Sequence, residues 1–130
     1  MTRHSLQIQG GPDNLCTGLV KHEGTELFDY KNPESEWGYL ALYGPQSLAG
    51  DNLGMAVFYR NEDRIEITED EYSHVIVLKP ENGKLVYYFG AAWEQEPGGI
   101  QSKKAFTQYL ERIITRLNAP LKVLYFKKRF

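Results

Sequence analysis

Trp93, Glu94 and Glu96 stand together in the stretch YYFGAAWEQEPGGI, residues 87 to 100, where an aromatic run gives way to two carboxylates, a proline and a glycine pair. An indole at the end of a strand offers a flat apolar face suited to the C–H side of a sugar ring, while charged and amide groups answer its hydroxyls and carboxylates. His22, Arg60 and His74 are polar partners of that second kind, and with Trp93 they form the candidate ligand-binding set. Tyr39, Tyr43, Tyr87 and Tyr88 add aromatic surface, and Lys21, Asn52, Glu94 and Glu96 add polar groups. The plainer alternative for each aromatic is a core position or a cross-strand pair.

Four residues are candidates for catalysis: His74, Tyr72, Glu94 and Glu96. Two residues apart, Glu94 and Glu96 share a face if the strand continues through them, as paired acids or as ligands to a cation. The Pro97-Gly98-Gly99 that follows also fits a solvated strand end. A histidine beside a tyrosine, as in EYSHVIV, suits general base and general acid in removing the proton next to a uronate carboxylate; the alternative is a buried histidine with its hydrogen bonds satisfied. Three histidines and one cysteine are too dispersed for a zinc site, and neither a dinucleotide fingerprint nor a phosphate loop occurs, so no metal and no cofactor is expected.

These residues need strands to place them. LCTGLVKH (15 to 22) alternates at a period of two and puts His22 near a strand end. TELFDY forms a short return strand, KNPES a turn, and WGYLALYG (37 to 44) a strand closed by Gly44-Pro45. LGMAVFYR (53 to 60) and IEITED (65 to 70) read as strands, and the continuously apolar SHVIVLKP (73 to 80) as a central one ended by Pro80. Asn82-Gly83 is the strongest short hairpin signal, so residues 73 to 79 are expected to pair antiparallel with 84 to 93. From Ser102 to Asn118 the period changes. Phe106, Tyr109, Leu110, Ile113, Ile114 and Leu117 form one helical stripe, capped by Ser102 and stopped at Asn118-Ala119-Pro120. LKVLYF (121 to 126) reads as a last strand. The fold class is therefore mainly β: an antiparallel β-sandwich or bent sheet in a single domain of residues 1 to 130, with one C-terminal amphipathic helix, about 102 to 118, packed on it.

The length of 130 residues, 42% apolar and 25% charged, fits one soluble folded domain. Fifteen basic and 17 acidic side chains give a net charge of −2 without a basic stripe, so nucleic acid is not an expected partner, and Lys127, Lys128 and Arg129 read as a solvated tail. Cys16 is expected as a buried, inert strand thiol. MTRHSLQIQGG lacks the apolar run of a signal peptide, and no stretch approaches the roughly 18 apolar residues of a membrane span. The chain is read as soluble, with no membrane partner.

Three stretches, GGPDNLCTGLVKH (10 to 22), DNLGMAVFYR (51 to 60) with DEYSHVIVLKP (70 to 80), and YYFGAAWEQEPGGI (87 to 100) with its following helix, together resemble an uncharacterised bacterial domain family found with enzymes that degrade pectin-like and ulvan-like polysaccharides. The resemblance implies a fold similar to the large β-sandwiches of carbohydrate mutarotases and polysaccharide lyases. It also implies that this chain corresponds to the C-terminal portion of longer relatives, and a periplasmic or extracellular setting. It brings no catalytic residues with it.

The expectation is thus a carbohydrate-associated β-sandwich domain that binds polysaccharide fragments through His22, Arg60, His74 and Trp93. One alternative is a polysaccharide lyase or glycoside hydrolase acting on uronate-containing polymers. The other is a structural module that dimerises to cover an apolar sheet face.

Overall fold

The structure is a computed structural model that describes residues 1–11 and 13–119. Eight strands are present among the described residues: β1 (Thr2–Gln7), β2 (Leu15–Val20), β3 (Glu26–Asp29), β4 (Trp37–Pro45), β5 (Asn52–Arg60), β6 (Arg64–Glu69), β7 (Ser73–Leu78) and β8 (Lys84–Trp93), followed by helix α1 (Lys103–Asn118). They form two antiparallel sheets, a five-stranded one in the order β1-β8-β5-β4-β3 and a three-stranded one in the order β2-β7-β6.

Alternation along β4 explains the layering. Trp37, Tyr39, Ala41 and Tyr43 face α1, with Ala56, Phe58 and Ala92 from neighbouring strands and Phe106, Leu110, Ile113 and Ile114 from the helix. Leu40 and Leu42 face the other way, with Val57, Tyr59 and Leu85, onto Leu19, Ile76 and Leu78 of the small sheet. A strand covered on both sides must be apolar at every position, which is why WGYLALYG reads as one unbroken apolar run. The sandwich with one helix expected from the sequence is therefore present, with the helix on the outer face of the larger sheet.

Both ends of α1 are anchored to the chain. At the start, Ser102 Oγ accepts the backbone N–H of Ala105 at 3.1 Å. At the end, Asn118 Oδ1 accepts the N–H of Trp37 at 3.0 Å, and Asn118 Nδ2 donates to Ser35 Oγ at 2.8 Å. Midway, the Phe106 ring lies over Gly54, where an added Cβ would sit 2.3 Å from it. Only glycine lets the helix come this close.

The expected 73–79/84–93 hairpin does not form. Asn82 and Gly83 do take the positive φ of a two-residue turn, 52° and 72°, but the ladder stops at the single bridge Glu81–Lys84. β7 pairs with β2 and β6, while β8 pairs with β1 and β5. Pro80 cannot donate to a ladder, and β8, apolar on both faces, gains more burial in the larger sheet. The turn chemistry was legible; the change of sheet was not. β1, an exposed edge strand with little apolar alternation, was not expected at all. Cys16 is exposed rather than buried, because it points to the uncovered face of the small sheet, opposite Leu15, Thr17 and Leu19. The expected strand at 121 to 126 and the basic tail lie outside the described residues.

Buried tyrosines set an alkaline limit on this core. Burial, with Glu111 and then Tyr30 adding to it, pushes the Tyr39 hydroxyl from 10.0 up to about 12, and burial also raises Tyr43 and Tyr59. A hydroxyl whose folded pKa is raised contributes stability fully below its unfolded pKa and loses it as pH climbs through the folded value. The expected result is a melting temperature that falls between about pH 10 and pH 12, together with tyrosinate absorbance that appears as the fold is lost. All tyrosines titrating near pH 10 with the fold intact would contradict the packing described.

Candidate functional site

The strands bring the candidate residues to two opposite ends of the sandwich. Trp93 pairs with Leu53 at one end of the large sheet, where β4 closes on Pro45 opposite Asn52. The turn after β2 lies against this end, with Gly24 packed on Pro45 and Gly44. Lys21 N–H donates to Tyr72 O at 2.8 Å and so joins His22, Tyr72 and His74 to the same end. Arg60 is the last residue of β5, seven residues beyond Leu53, which places it about 23 Å from the Trp93 end. Three of the four proposed ligand-binding residues thus share one end of the fold, and Arg60 does not join them.

Those three fall into two groups. His74 Nδ1 lies 3.8 Å from Glu69 Oε2, and Lys21 Nζ lies 2.6 Å from the same oxygen while also donating to Asp70 O at 2.6 Å. Lys21 holds the Glu69 carboxyl below its usual range. Tyr72 is 70% exposed beside this group, with its backbone fixed by Asp70 Oδ1. His22 is exposed, and its carbonyl accepts from Thr25.

Trp93 belongs to a different network. Its indole Nε1–H donates to Asp51 Oδ1 at 2.9 Å, and Asp51 also accepts from Ser47 Oγ and Gln95 Nε2. These hydrogen bonds, first that of Ser47 and then that of Trp93, hold the Asp51 carboxyl below the usual carboxylate range. The ring is 38% exposed and borders a shallow cavity of about 490 Å³ lined by Gln46, Ser47, Leu48, Ala49, Leu53 and Trp93. Leu48 stands wholly exposed on its rim. Gln46 is buried at the cavity wall: its Nε2 donates to Leu42 O at 2.9 Å and Leu53 O at 2.7 Å, which fixes the amide and leaves Oε1 with no partner among the described residues.

Glu94 and Glu96 lie beyond the strand, so they are not paired acids on an extended face. The chain turns after Trp93, and Glu96 Oε1 accepts the N–H of Trp93 at 3.2 Å while Glu96 N–H donates to Trp93 O at the same distance. Glu94 donates its N–H to Asn52 O, and after burial it is the second cause of the raised Tyr43 hydroxyl.

The remaining aromatics took the plainer role. Tyr39 stacks on Tyr30 at 4.9 Å, Tyr43 on Phe106 at 5.3 Å and Tyr87 on His4 at 4.8 Å, while Tyr88 meets Trp37 edge-on. Arg60 lies over the Trp37 ring at 5.5 Å and borders a second cavity with Asp63, Glu81 and Lys84, which presents charges of both signs and no aromatic face. Among the described residues no group of three or more His, Cys, Asp or Glu is placed to hold a metal ion, and no helix is long and apolar enough to cross a membrane.

Sequence reading missed Gln46, Ser47, Leu48, Asp51 and Gln95. The loop PQSLAGDN carried a weak signal, a serine four residues before an aspartate, the spacing of a side-chain-closed loop. Its contact with Trp93 depends on the long-range register Leu53↔Trp93, which no local pattern encodes.

Comparison with known proteins adds lineage without chemistry. The chain is 26% identical over 128 residues to a protein of Formosa agariphila named Uncharacterized protein P7, a match that covers 94% of this chain and 31% of that protein. The chain therefore spans about a third of the length of the curated relative it matches. No solved structure matches. A family profile described as Domain of unknown function (DUF4861) matches residues 1–123, and the chain belongs to that family.

Proposed function

We propose that this domain binds carbohydrate at the Trp93 end of the sandwich, as a binding module associated with polysaccharide breakdown. The observation that carries the reading is the half-exposed indole of Trp93, whose polar edge is occupied by Asp51 while its face borders an apolar cavity walled by Leu48 and Leu53. Sugar recognition needs this pairing of a fixed aromatic face with polar groups at its border. Asp51 and Gln95 provide the polar border. The resemblance of the three sequence stretches to a family found with pectin- and ulvan-degrading enzymes points the same way.

A second reading, a lyase acting on uronate-containing polymers, draws on the cluster of His74, Glu69 and Lys21 beside the exposed Tyr72. One experiment separates the two. The protein is titrated calorimetrically with oligosaccharides from neutral and uronate-containing plant and algal polymers, and the same mixtures are followed for unsaturated products and new reducing ends. Saturable binding without turnover is the expected result. Release of product would favour the enzyme, and neither binding nor turnover across the panel would overturn both readings.

A further inference from the structure

We infer that the open flank of α1 is a groove for acidic sugars, in which Arg3, Arg112 and Arg116 engage carboxylate or sulfate groups over a floor of Tyr88 and Tyr109. The groove is separate from the Trp93 site and shares with it only the assignment to carbohydrate. Alternation along β8 turns Val86, Tyr88 and Ala92 to the helix side and Leu85, Tyr87 and Phe89 to the small sheet, and by the same period Trp93 belongs to the second set.

Register and helical spacing gather the three cations. Arg3 is the cross-strand partner of Tyr88 on edge strand β1, so the two share the helix side of the sheet with Cβ atoms about 5 Å apart. α1 crosses β4 and β5, with Phe106 on Gly54 at one end and Asn118 bonded to Trp37 at the other. One flank of the helix faces β3, where Lys103 reaches Glu26 and the Phe28 ring. The other flank faces β8: the Tyr109 hydroxyl lies 3.2 Å from where a side chain on Gly90 would begin. Arg112 and Arg116 follow Tyr109 at three and seven residues, on the same flank and about 4.5 and 10.5 Å further along the axis. Burial raises the Tyr109 hydroxyl and Glu96 adds to it, while Arg112 and Arg116 oppose them, so both guanidiniums act on this floor.

Charge complementarity names the occupant. Arg3, Arg112 and Arg116 are exposed, and none of them is ion-paired among the described residues. Arg116 in the last turn gains from the helix dipole, but Arg112 one turn earlier repels it. A chain of net charge −2 thus collects three uncompensated guanidiniums on one face, with Glu96 at the margin nearest Trp93. Counting along the sequence hides the cluster, because β1 and α1 lie far apart in the chain and meet only across β8. A guanidinium is a planar fork that matches a carboxylate with two parallel hydrogen bonds, and a sulfate in the same way. Tyr88 and Tyr109, both half-buried, add flat faces and hydroxyls for sugar rings, which an acidic peptide would leave unused.

The test titrates the full chain and its Arg112→Gln/Arg116→Gln and Arg3→Gln variants with an oligogalacturonate, a sulfated galactan fragment, an uncharged galactan fragment and polyglutamate, at about 50 mM and about 500 mM NaCl. At least one of the two acidic sugars should bind the parent chain, weaken at the higher salt, and lose about tenfold or more in affinity in the double variant. The uncharged fragment should bind parent and variants alike, and the thermal melts should coincide. Binding of neither acidic sugar, an affinity unchanged in the arginine variants, or a loss confined to Trp93→Ala overturns the groove and leaves the Trp93 site standing. Polyglutamate bound as tightly as the acidic sugars overturns the assignment to sugar. The Trp93 reading fails separately, if acidic sugars bind through the arginines while the uncharged fragment does not bind at all.

Discussion

Phe106→Ala should lower the free energy of unfolding by about 3 to 5 kcal/mol, a loss at the top of the range for a single core side chain. Phe106 is fully buried and central to the helix layer: it stacks on Tyr43 at 5.3 Å and Tyr109 at 6.1 Å, meets Phe28 edge-on at 6.4 Å, and rests on Gly54. Removing the ring opens a void that the neighbours cannot close. β4 is paired on both sides, and α1 is held at its end by Asn118 against Trp37 and Ser35. Since domains of this size are stable by only about 5 to 15 kcal/mol, the variant should melt far below the parent or fail to fold at 37 °C. Urea unfolding followed by circular dichroism provides the measurement. A loss under about 1 kcal/mol would mean that the helix does not depend on this contact.

Trp93→Ala should have the opposite profile, a large loss of binding with a small loss of stability. The side chain is 38% exposed at a strand end, so its truncation removes little core. As the one aromatic face among the described residues at the proposed site, it should cost at least about 2 kcal/mol of binding when removed, roughly thirtyfold in Kd. Trp93→Phe, which keeps a flat ring but frees Asp51 from its indole donor, should fall between the two. Calorimetric titration with a bound oligosaccharide, paired with a thermal melt of each variant, separates recognition from folding. Unchanged affinity in Trp93→Ala would remove the platform from the account.

Features with a local cause were legible in the sequence. The helical stripe from Phe106 to Leu117, the Ser102 cap and the strands expected between residues 15 and 93 follow from side-chain spacing, and these are present. The doubly buried β4 was visible as an unbroken apolar run. What could not be read was decided between distant segments. Asn82 and Gly83 announce a turn correctly, but whether the chain continues in the same sheet or crosses to the other depends on which sheet gives β8 cover on both faces. The candidate site shows the same division. Trp93 at a strand end was visible from the turn residues after it, whereas the loop residues that hold it, Asp51 and Gln46, enter through the register of β5 with β8. Arg60 was grouped with the histidines by residue type alone, and strand direction carries it to the far end.

The indole N–H resonances allow the central claim to be tested directly. The chain has two tryptophans, Trp37 buried under the helix layer and Trp93 at the cavity, so a proton–nitrogen correlation spectrum contains two indole signals, and the one lost in Trp93→Phe is assigned. On titration with a neutral oligosaccharide the Trp93 signal should move saturably, together with the backbone amides of residues 46 to 53, while the Trp37 signal stays in place. Saturable shifts confined to the His74 cluster or to the Arg60 end, with Trp93 unmoved, would contradict the account.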